Sequence, residues 1–266
     1  MISDFHIHSY FSSDSDEKPE NIIKTAIGNG MDMICFTDHQ DFDYNYSDYD
    51  FTLDYERYFA ELTALKDKYK DKIQIRIGVE TGLEPHLDKR LADFVQKKPY
   101  DFVIGSTHLI NGVDPWYPEY FREYGDDVGF KKYFEYVFES LKTCHDFDVY
   151  GHLDYVVRYS PNGDKNYSYR KYQDIIDQIL KRLIAMDKGI ELNMGGMYKG
   201  MKNPNPNPQI ISRYKELGGH IITVGADAHK AEYLGYKFEL AKEILKNAGF
   251  DYYTTFKGRK PEFIKL

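Results

Sequence analysis

The amino-acid sequence predicts an α/β protein built as a distorted seven-stranded (β/α)7 barrel, TIM-barrel-like in plan. Strand-like and helix-like patterns alternate from one end of the 266-residue chain to the other. The strand-like runs are continuously apolar, which is typical of parallel strands that helices cover on both faces. The helix-to-strand connections are short, whereas four strand-to-helix connections are long, at residues 40–53, 109–127, 155–169 and 194–207. Loops of that length in a compact domain are usually functional, so these four are predicted to form lids and substrate contacts.

Seven apolar runs are assigned to the barrel strands. In chain order they cover residues 2–6, 31–39, 73–80, 101–108, 148–154, 189–193 and 220–229. The runs are short and bounded by turn or helix signals, as expected for buried strands. Seven βα units are one fewer than a TIM barrel contains, so we expect a distorted barrel. A further short strand is predicted at residues 252–256.

The helices are predicted from apolar spacing and from signals at their ends. Pro19 near its start and Gly30 just after its end define the first helix. The later helices are predicted at residues 54–69, 86–97, 128–145 and around 175–184, after strand 189–193, and after strand 220–229 with an end near Ala248 and Gly249 as its cap. Because no linker or internal repeat divides the chain, residues 1–266 are predicted to form one domain.

Composition excludes several classes of partner. The net charge of −8 and the lack of a basic stripe argue against a surface for nucleic acid or anionic membranes. No run approaches the ~18 apolar residues of a membrane span. Cys35 and Cys144 are isolated and are expected to be buried without a disulfide, which suits a reducing compartment. With no signal-like segment at its start, the protein is expected in the cytoplasm.

Imidazoles and carboxylates collect at the carboxyl ends of the predicted strands. They occur in the motifs DFHIH, FTDH, IGSTH, VYGHLD and VGADAH, and Glu80 ends the run IQIRIGVE. In a (β/α) barrel these ends form one face, where active sites are built. Imidazole with carboxylate is the ligand set of Zn, Mn and Fe. A metal-dependent enzyme is therefore predicted, with His86, His145 and His220 assigned structural roles because they lack this context.

Two strands carry a pair of candidate ligands at i, i+2. His6 and His8 point to the same side of the first strand, and Asp227 and His229 repeat this spacing after the last. In a closed barrel these two strands are neighbours, so the four groups are expected to converge. Asp4 is predicted to orient a ligating histidine. Glu80 is predicted to bridge two metals, the alternative being a salt bridge to a strand-end Lys or Arg.

Together these motifs resemble the PHP (polymerase and histidinol phosphatase) superfamily. The order DxHxH, TDH, strand-end Glu, GSxH, GHxD and DAH covers essentially the whole chain. The stretches TDHQDFDY, YGHLDYVVRY and NPNPQIISRYKELGGHIITVGADAH resemble more closely the stand-alone histidinol-phosphate phosphatases of that superfamily. The resemblance implies the PHP fold and three divalent metal ions. Their implied ligands are, in turn, His6, His8, Glu80 and Asp227; Glu80, His108 and His152; and Asp14, His39 and His229.

The resemblance also implies hydrolysis of a small phosphorylated substrate, L-histidinol phosphate, by in-line attack of a hydroxide that bridges two metals. Arg158 is the predicted phosphate ligand. Related sequences often have an arginine on the phosphate where this chain has Tyr198, and Lys199 beside it is the substitute cation. Several members also have a histidine in place of Asp14, a change that bears on metal preference.

The remaining roles are open at this point. The proton donor to the leaving group is Asp38, Asp154 or a metal-bound water. Asp41 and Asp43 are predicted to bind the ammonium or imidazole of histidinol, the alternative being a solvated acidic loop. The alternative functions are a PHP phosphoesterase for phosphotyrosine or nucleotides, a metallo-amidohydrolase, and a metal-binding domain without catalysis. The sequence gives no oligomeric state.

Overall fold

A computed structural model describes residues 3–46 and 48–266. Within these residues the chain forms nine β-strands and eight α-helices, with short 3₁₀ turns between some of them. The strands are β1 (Met33–Phe36), β2 (His39–Gln40), β3 (Gln74–Gly82), β4 (Phe102–Ser106), β5 (Val149–Tyr150), β6 (Gly189–Asn193), β7 (Ile222–Gly225), β8 (Tyr252–Lys257) and β9 (Lys260–Lys265). The helices are α1 (Pro19–Gly28), α2 (Tyr55–Tyr69), α3 (Asp88–Val95), α4 (Pro118–Thr143), α5 (Gln173–Ala185), α6 (Gly195–Tyr198), α7 (Pro208–Glu216) and α8 (Phe238–Asn247).

The first seven strands form one parallel sheet that curls into a distorted barrel. The order is β1-β3-β4-β5-β6-β7. Strand β2 pairs with β3 further along the chain than the residues that pair with β1. The segment 4–8 joins the two ends of this sheet, because Asp4 bridges Ile34 in β1 and Ile7 bridges Ala228 just after β7. The predicted barrel is confirmed, and helices alternate with its strands.

The predicted first strand, residues 2–6, is the least regular part of the barrel. Ile2 lies outside the described residues, and the rest of the segment forms two single bridges rather than a continuous ladder. The amides of Phe5 and His8 donate to backbone carbonyls within and just after β7, at 3.0 and 2.9 Å, but side chains serve as partners for the amides between them. Asp4 Oδ1 accepts hydrogen bonds from the amides of His6 (3.3 Å) and Ala226 (2.9 Å), and Thr37 Oγ1 accepts one from the amide of Ile7 (3.1 Å).

The other predicted elements are present, but several differ in extent. The predicted strand 148–154 is only the two residues of β5, and 31–39 divides into β1 and β2. Helix α4 begins at Pro118, ten residues before the predicted start at 128, and its backbone breaks at Gly125 (φ 64°, ψ 178°). Pro118 suits a first helical position because its φ is already fixed. The break gives the two halves different apolar faces, so one helical period does not extend over both and the sequence pattern of the first half is obscured.

The apolar side chains form two buried clusters. The larger one lies between the sheet and the helices, and it includes Cys144. The smaller one, which we call the inner cluster, consists of Phe5, Met33, Cys35, Phe102, Ile104, Val149, Ile221 and Phe256. Most of these residues stand at or near the starts of their strands. Both cysteines are buried, as predicted.

The hairpin β8–β9 covers the amino ends of the barrel strands. Gly258 and Arg259 form its tight turn, and both have the positive φ (53° and 64°) that a two-residue type I′ turn requires. Phe256 enters the inner cluster and stacks on Phe102, with ring centroids 4.9 Å apart. Arg259 donates to both carboxylate oxygens of Asp148 at 2.8 Å. The predicted strand 252–256 is confirmed as β8, whereas β9 was not predicted.

The four long connections leave the carboxyl ends of the strands, on the face opposite the hairpin. The third contains the 3₁₀ turns Tyr155–Tyr159 and Gly163–Asn166, and the fourth contains α6. Among the described residues, no helix has both the length and the apolar character that crossing a bilayer requires.

Candidate metal centre and substrate cavity

Glu80 is the centre of the polar cluster at the carboxyl ends of the strands. It lies near the end of β3 and is fully buried. Five imidazole nitrogens lie 2.8–3.5 Å from its two carboxylate oxygens, those of His6, His8, His39, His108 and His152. Ser106 Oγ also donates to Oε1 at 2.6 Å. A carboxylate offers about four lone-pair positions, so this arrangement suits a ligand shared between cations better than a simple hydrogen-bond acceptor.

Asp227 follows β7 and faces the same imidazoles from the other side. Its Oδ1 lies 3.4 Å from His8 Nε2 and 3.7 Å from His6 Nε2. Its Oδ2 accepts a hydrogen bond from Arg158 Nη1 at 2.7 Å, which leaves Oδ1 for a metal. The backbone at Asp227 has a left-handed φ of 56°, and Tyr198 Oη and His229 Nδ1 hold it by hydrogen bonds to its carbonyl oxygen (2.5 and 2.9 Å).

A third group of ligands lies nearer the solvent. Asp14 Oδ2 lies 3.0 Å from His229 Nε2 and 3.7 Å from His39 Nε2. The His8 ring stacks between those of His39 and His229, with a centroid distance of 4.2 Å to each. This group therefore adjoins the Glu80 cluster through His8 and His39.

Several buried ring nitrogens in the cluster lack a hydrogen-bond partner, which is what metal ligands require. Among the described residues, His8 Nε2 and His39 Nδ1 are inaccessible to solvent and make no hydrogen bond. Three groupings place His8, His39 and His229; His6, His8 and Glu80; and Glu80, His108 and His152 with ligand atoms within 4.8 Å of one another. Imidazoles and carboxylates at these separations fit divalent ions such as Zn²⁺ or Mn²⁺.

Electrostatics favour the ionised form of the central carboxylates. Burial raises the pKa of Glu80, but the charges of His6, His108 and His39 outweigh it and hold this pKa well below its ordinary value. Burial likewise raises the pKa of Asp227, and His6 and Arg158 bring it well below its ordinary value. Ionised carboxylates this deeply buried need cationic partners, and divalent ions would supply them.

Glu191 in β6 supports the cluster from below. Its Oε1 accepts from His6 Nδ1 at 2.7 Å, and its Oε2 accepts from the amide of His152 at 3.0 Å and from Asn193 Nδ2 at 3.1 Å. The close approach depends on Gly225, because a Cβ at that position would lie 2.3 Å from His6 Cβ and 2.4 Å from Glu191 Oε1. A carboxylate on the far nitrogen of a ligating histidine fixes its ring orientation and tautomer.

A cavity of about 670 Å³, counted to its open mouth, lies above the cluster. Two sets of side chains line it. The polar set is Asp14, His39, Asp41, His108, Asp114, His152, Arg158, Lys199, Asp227 and His229. The aromatic set is Tyr44, Tyr49, Phe51, Trp116, Tyr155 and Tyr159. This lining suits a small molecule with an apolar part and several charged groups.

Comparison with known proteins identifies the family. Residues 4–195 match the model of the PHP domain. The chain belongs to the PHP family. A histidinol-phosphatase from Lactococcus lactis subsp. lactis is 33% identical to this chain over 258 residues, covering 97% of this chain and 95% of the relative. A protein from Clostridium acetobutylicum named "Probable histidinol-phosphatase" is 31% identical over 248 residues, covering 93% and 94%.

A solved structure is similar along almost the whole PHP chain. It is the crystal structure of histidinol phosphate phosphatase from Lactococcus lactis subsp. lactis, complexed with Zn, L-histidinol and phosphate. The TM-score is 0.89 at 31% sequence identity, and the match covers 98% of each chain. The predicted family is thus confirmed, which favours the PHP alternatives over the metallo-amidohydrolase.

The structure brings all nine predicted metal ligands of the PHP chain into one continuous cluster. They are His6, His8, Asp14, His39, Glu80, His108, His152, Asp227 and His229. Their assignment to individual metals remains a prediction. His86, His145 and His220 are exposed and lie outside the cluster, and Asp4 binds backbone amides where it was expected to orient a histidine. Glu191 takes that orienting position on His6 instead.

The predicted phosphate ligands lie at one end of the cavity, but Tyr198 does not face it. Arg158 donates to Asn205 Oδ1 (2.8 Å), Asp227 Oδ2 (2.7 Å) and Asn193 Oδ1 (2.7 Å). Two of its five N–H groups therefore remain for a ligand. Tyr198 packs face to face with Tyr233, and its hydroxyl is used on Asp227. Lys199 lines the cavity with an exposed side chain.

The two acidic residues expected to bind histidinol are in different surroundings. Asp41 lines the cavity, and its carboxylate accepts from His108 Nδ1 at 2.9 Å, so it orients a candidate ligand. Asp43 is exposed outside the cavity and pairs with Arg90 (2.7 Å) and His86 (3.1 Å). Its predicted contact with substrate is not supported, because the loop turns its side chain outward.

The two carboxylates proposed as proton donors also lie outside the cavity lining. Asp38 is buried and accepts from the amide of Ser9 at 2.6 Å and from Ser12 Oγ at 2.9 Å. Asp154 is buried and accepts from Asn205 Nδ2 at 2.6 Å and from the amide of Asn207 at 2.9 Å. Burial raises the pKa of each carboxyl to about 6. Their hydrogen bonds mark them as groups that hold the surrounding loops in place.

Sequence reasoning missed Glu191 and named none of the aromatic residues of the cavity wall, although it expected the long connections that carry them to contact substrate. Glu191 interrupts an apolar strand, GIELN, in the same way as Glu80 interrupts IQIRIGVE, so the same signal was available. Asp114, Tyr44 and Trp116 come from long connections without periodicity, where nothing in the residue pattern separates cavity-lining side chains from solvated ones.

Proposed function

We propose that this PHP protein is a metal-dependent phosphate-monoester hydrolase that converts L-histidinol phosphate and water to L-histidinol and phosphate. The observation that carries the proposal is the Glu80 cluster beside Arg158 and Lys199 in one cavity. Its support from relatives is the match along 98% of the chain to a phosphatase whose structure contains Zn, L-histidinol and phosphate.

We further propose three divalent ions, with Zn, Mn or Fe as candidates. Their ligands would be His6, His8, Glu80 and Asp227 for the first, Glu80, His108 and His152 for the second, and Asp14, His39 and His229 for the third. When bound, such ions lower the pKa of water and neutralise phosphoryl oxygens. The Asp14 carboxylate would give the third site a negative charge that a neutral histidine does not.

The side chains of the protein position the phosphate and the leaving group. Arg158 is held in place by three hydrogen bonds, so its two free N–H groups are oriented in advance for phosphoryl oxygens. Lys199 adds a point charge at the same end of the cavity. Asp38 and Asp154 stand outside the cavity lining, so among the three proton sources proposed for the leaving alkoxide we favour water.

A substrate panel with metal analysis tests the proposed function. Purified protein is analysed for metal by mass spectrometry and assayed for phosphate release from L-histidinol phosphate, phosphotyrosine and nucleoside monophosphates. We expect divalent metal to copurify, the highest kcat/KM on L-histidinol phosphate, and loss of turnover on chelation with recovery on metal return. Higher kcat/KM on phosphotyrosine or a nucleotide would favour the other phosphoesterase functions. No release at full metal loading would favour a non-catalytic domain.

The cellular location also stays a prediction. Two buried free cysteines suit a reducing cytoplasm. Fractionation of cells that express the protein would test it.

A further inference from the structure

Arg158 is held by one carboxylate and two side-chain amides. Its Nη1 donates to Asp227 Oδ2, its Nε donates to Asn205 Oδ1 and its Nη2 donates to Asn193 Oδ1, at 2.7, 2.8 and 2.7 Å. A side-chain amide ends in an oxygen and an NH₂ group of similar size, and only the oxygen can accept from a guanidinium. Both asparagines must therefore be turned with their oxygens toward Arg158.

A buried carboxylate behind each asparagine sets this orientation. Asn205 Nδ2 donates to Asp154 Oδ1 at 2.6 Å, and Asn193 Nδ2 donates to Glu191 Oε2 at 3.1 Å. A carboxylate accepts hydrogen bonds and repels another oxygen, so it attracts the NH₂ group of the amide. The oxygen of each asparagine then points the other way, toward Arg158.

Asp154 uses both of its oxygens in this arrangement. It is 1% exposed, and its Oδ2 accepts from the amide of Asn207 at 2.9 Å. Burying a carboxylate costs free energy that its hydrogen bonds must offset. Because Asp154 stands outside the cavity lining and its Oδ1 is committed to Asn205, what this carboxylate secures is the segment 205–207 and the direction of the Asn205 amide.

The backbone and a glycine hold the Asn205 oxygen from other sides. Asn205 and Asn193 form an isolated antiparallel bridge, with amide-to-carbonyl distances of 2.9 and 2.7 Å in the two directions. Gly196 packs directly on the Asn205 side chain, since a Cβ at position 196 would lie 2.5 Å from Asn205 Oδ1. The amide therefore has little freedom to move, and the guanidinium that it contacts is positioned before a ligand arrives.

We propose that Asp154 and Asn205 act as a positioning pair, which turns the Asn205 oxygen toward Arg158 and thereby aims the two remaining N–H groups of Arg158 at the phosphoryl group of the substrate. The inference rests on the proposed function, which assigns Arg158 to the phosphate. The other amide, Asn193, also lies 3.4 Å from His6 Nδ1. The Asp154 pair is therefore the one that can be tested without changing a side chain in contact with that metal ligand.

The substitution Asp154→Asn tests the pair. The new amide must still accept from the amide of Asn207, so its NH₂ group meets that of Asn205, and the Asn205 oxygen is no longer held toward Arg158. We expect KM for L-histidinol phosphate and for p-nitrophenyl phosphate to rise by the same factor, about tenfold, as should the inhibition constant of inorganic phosphate. We expect kcat and metal content to change by less than about twofold. An unchanged KM with unchanged phosphate inhibition would overturn the proposal.

Exchanging the two side chains supplies a rescue that a merely structural role would not give. In the double variant Asp154→Asn with Asn205→Asp, the amide at position 154 donates to the carboxylate at position 205, and the second carboxylate oxygen accepts from Arg158. We expect this variant to return to within about threefold of the wild-type KM. A KM as high as that of Asp154→Asn alone, or higher, would overturn the positioning role.

A second variant keeps the test independent of how Asp154→Asn folds. Asn205→Ala leaves Asp154 on the amide of Asn207 and removes the oxygen from Arg158, so KM should again rise about tenfold. In an Arg158→Ala background, Asn205→Ala should raise KM by less than about twofold further, because its effect passes through Arg158. An unchanged KM in the first case, or a full tenfold effect in the second, would contradict the proposal.

The two substrates also separate positioning from proton donation. Because p-nitrophenolate leaves without a proton, a loss confined to L-histidinol phosphate would identify Asp154 as the proton donor and overturn the proposal. Asp164→Asn is the matched control, since Asp164 accepts from Asn203 Nδ2 at 3.2 Å between the same two connections, and it should leave KM unchanged. Failure of the wild type to hydrolyse L-histidinol phosphate, with p-nitrophenyl phosphate still hydrolysed, would instead contradict the proposed function and leave the test of the pair intact.

Discussion

The amino ends of the barrel strands meet around apolar side chains, whereas their carboxyl ends meet around imidazoles and carboxylates. The inner cluster at the amino ends is completed by Phe256, which comes from the hairpin and stacks on Phe102. The cluster at the carboxyl ends is centred on Glu80, which contacts His6 and His152. Both are buried to a similar degree, and the same strands supply most of both.

The two ends differ in how completely their groups are satisfied. At the hairpin end, Arg259 pairs with Asp148 and Arg76 Nε donates to the carbonyl of Phe256 at 3.1 Å. At the metal end, buried nitrogens of His8 and His39 have no hydrogen-bond partner. At the hairpin end the charged groups are paired without a ligand, and this end stabilises the fold. The other end has unpartnered ring nitrogens whose lone pairs metal cations would bind, and we expect substitutions at the two ends to affect different measurable properties.

The largest effect is expected for Glu80→Gln at the metal end. A neutral amide cannot replace the carboxylate that five imidazoles surround. We expect kcat to fall at least about a thousandfold, equivalent to about 4 kcal/mol, together with a loss of bound metal measured by mass spectrometry. Glu139→Gln on the exposed face of α4 is the control. Near-wild-type turnover with full metal in Glu80→Gln would rule out the bridging role.

The next largest effect is expected for Phe256→Ala at the hairpin end. Removing a buried ring that stacks on Phe102 leaves a cavity in the inner cluster, and we expect the free energy of unfolding to fall by about 3 kcal/mol. Urea unfolding followed by fluorescence measures it. Metal content and kcat of the folded variant should stay unchanged. Tyr252→Ala, at a half-exposed position of the same hairpin, should change stability by less than about 0.5 kcal/mol.

A smaller effect is expected for Glu191→Gln, which supports the metal end from β6. Glutamine keeps the size of the side chain but weakens the hydrogen bond to His6 Nδ1. We expect metal affinity to fall 10- to 100-fold, as is usual when the partner of a ligating histidine is lost. Competition with a chelating dye measures the affinity. If metal affinity is unchanged and only the melting temperature falls, Glu191 stabilises the packing of β6 and does not support metal binding.

The smallest effect is expected for Arg259→Ala at the hairpin turn. The substitution leaves the buried Asp148 carboxylate with the amide of Val103 as its hydrogen-bond donor. Because Arg259 is partly exposed, we expect a loss of only about 1 kcal/mol in the free energy of unfolding. Lys260→Ala, exposed beside it, is the control. A change in metal affinity in Arg259→Ala would show that the two ends are coupled.

The sequence predicted the metal end better than the hairpin end. Metal ligands carry distinctive side chains, and parallel strands bring their carboxyl ends together, so His6, Glu80 and Asp227 could be placed without coordinates. The hairpin turn Gly258-Arg259 lacks the Asn-Gly or Asp-Gly pair that usually marks a type I′ turn, so β9 was not found. Which loop residues line the cavity could not be predicted, because Asp43 and Asp114 look alike in sequence and only the folded loops turn one outward and the other inward.

The closed hairpin end also restricts where ligands can enter and leave the cavity. With Phe256 filling the base of the barrel, exchange with solvent passes through the opposite face, where the cavity-lining side chains of Trp116 and Lys199 are exposed. Under the proposed function, the metals and Arg158 would hold the phosphate product more strongly than the alcohol. The alcohol would leave first and inorganic phosphate last. Phosphate would then meet the same form of the protein as incoming substrate, and a cell that accumulates phosphate would slow the enzyme by competition.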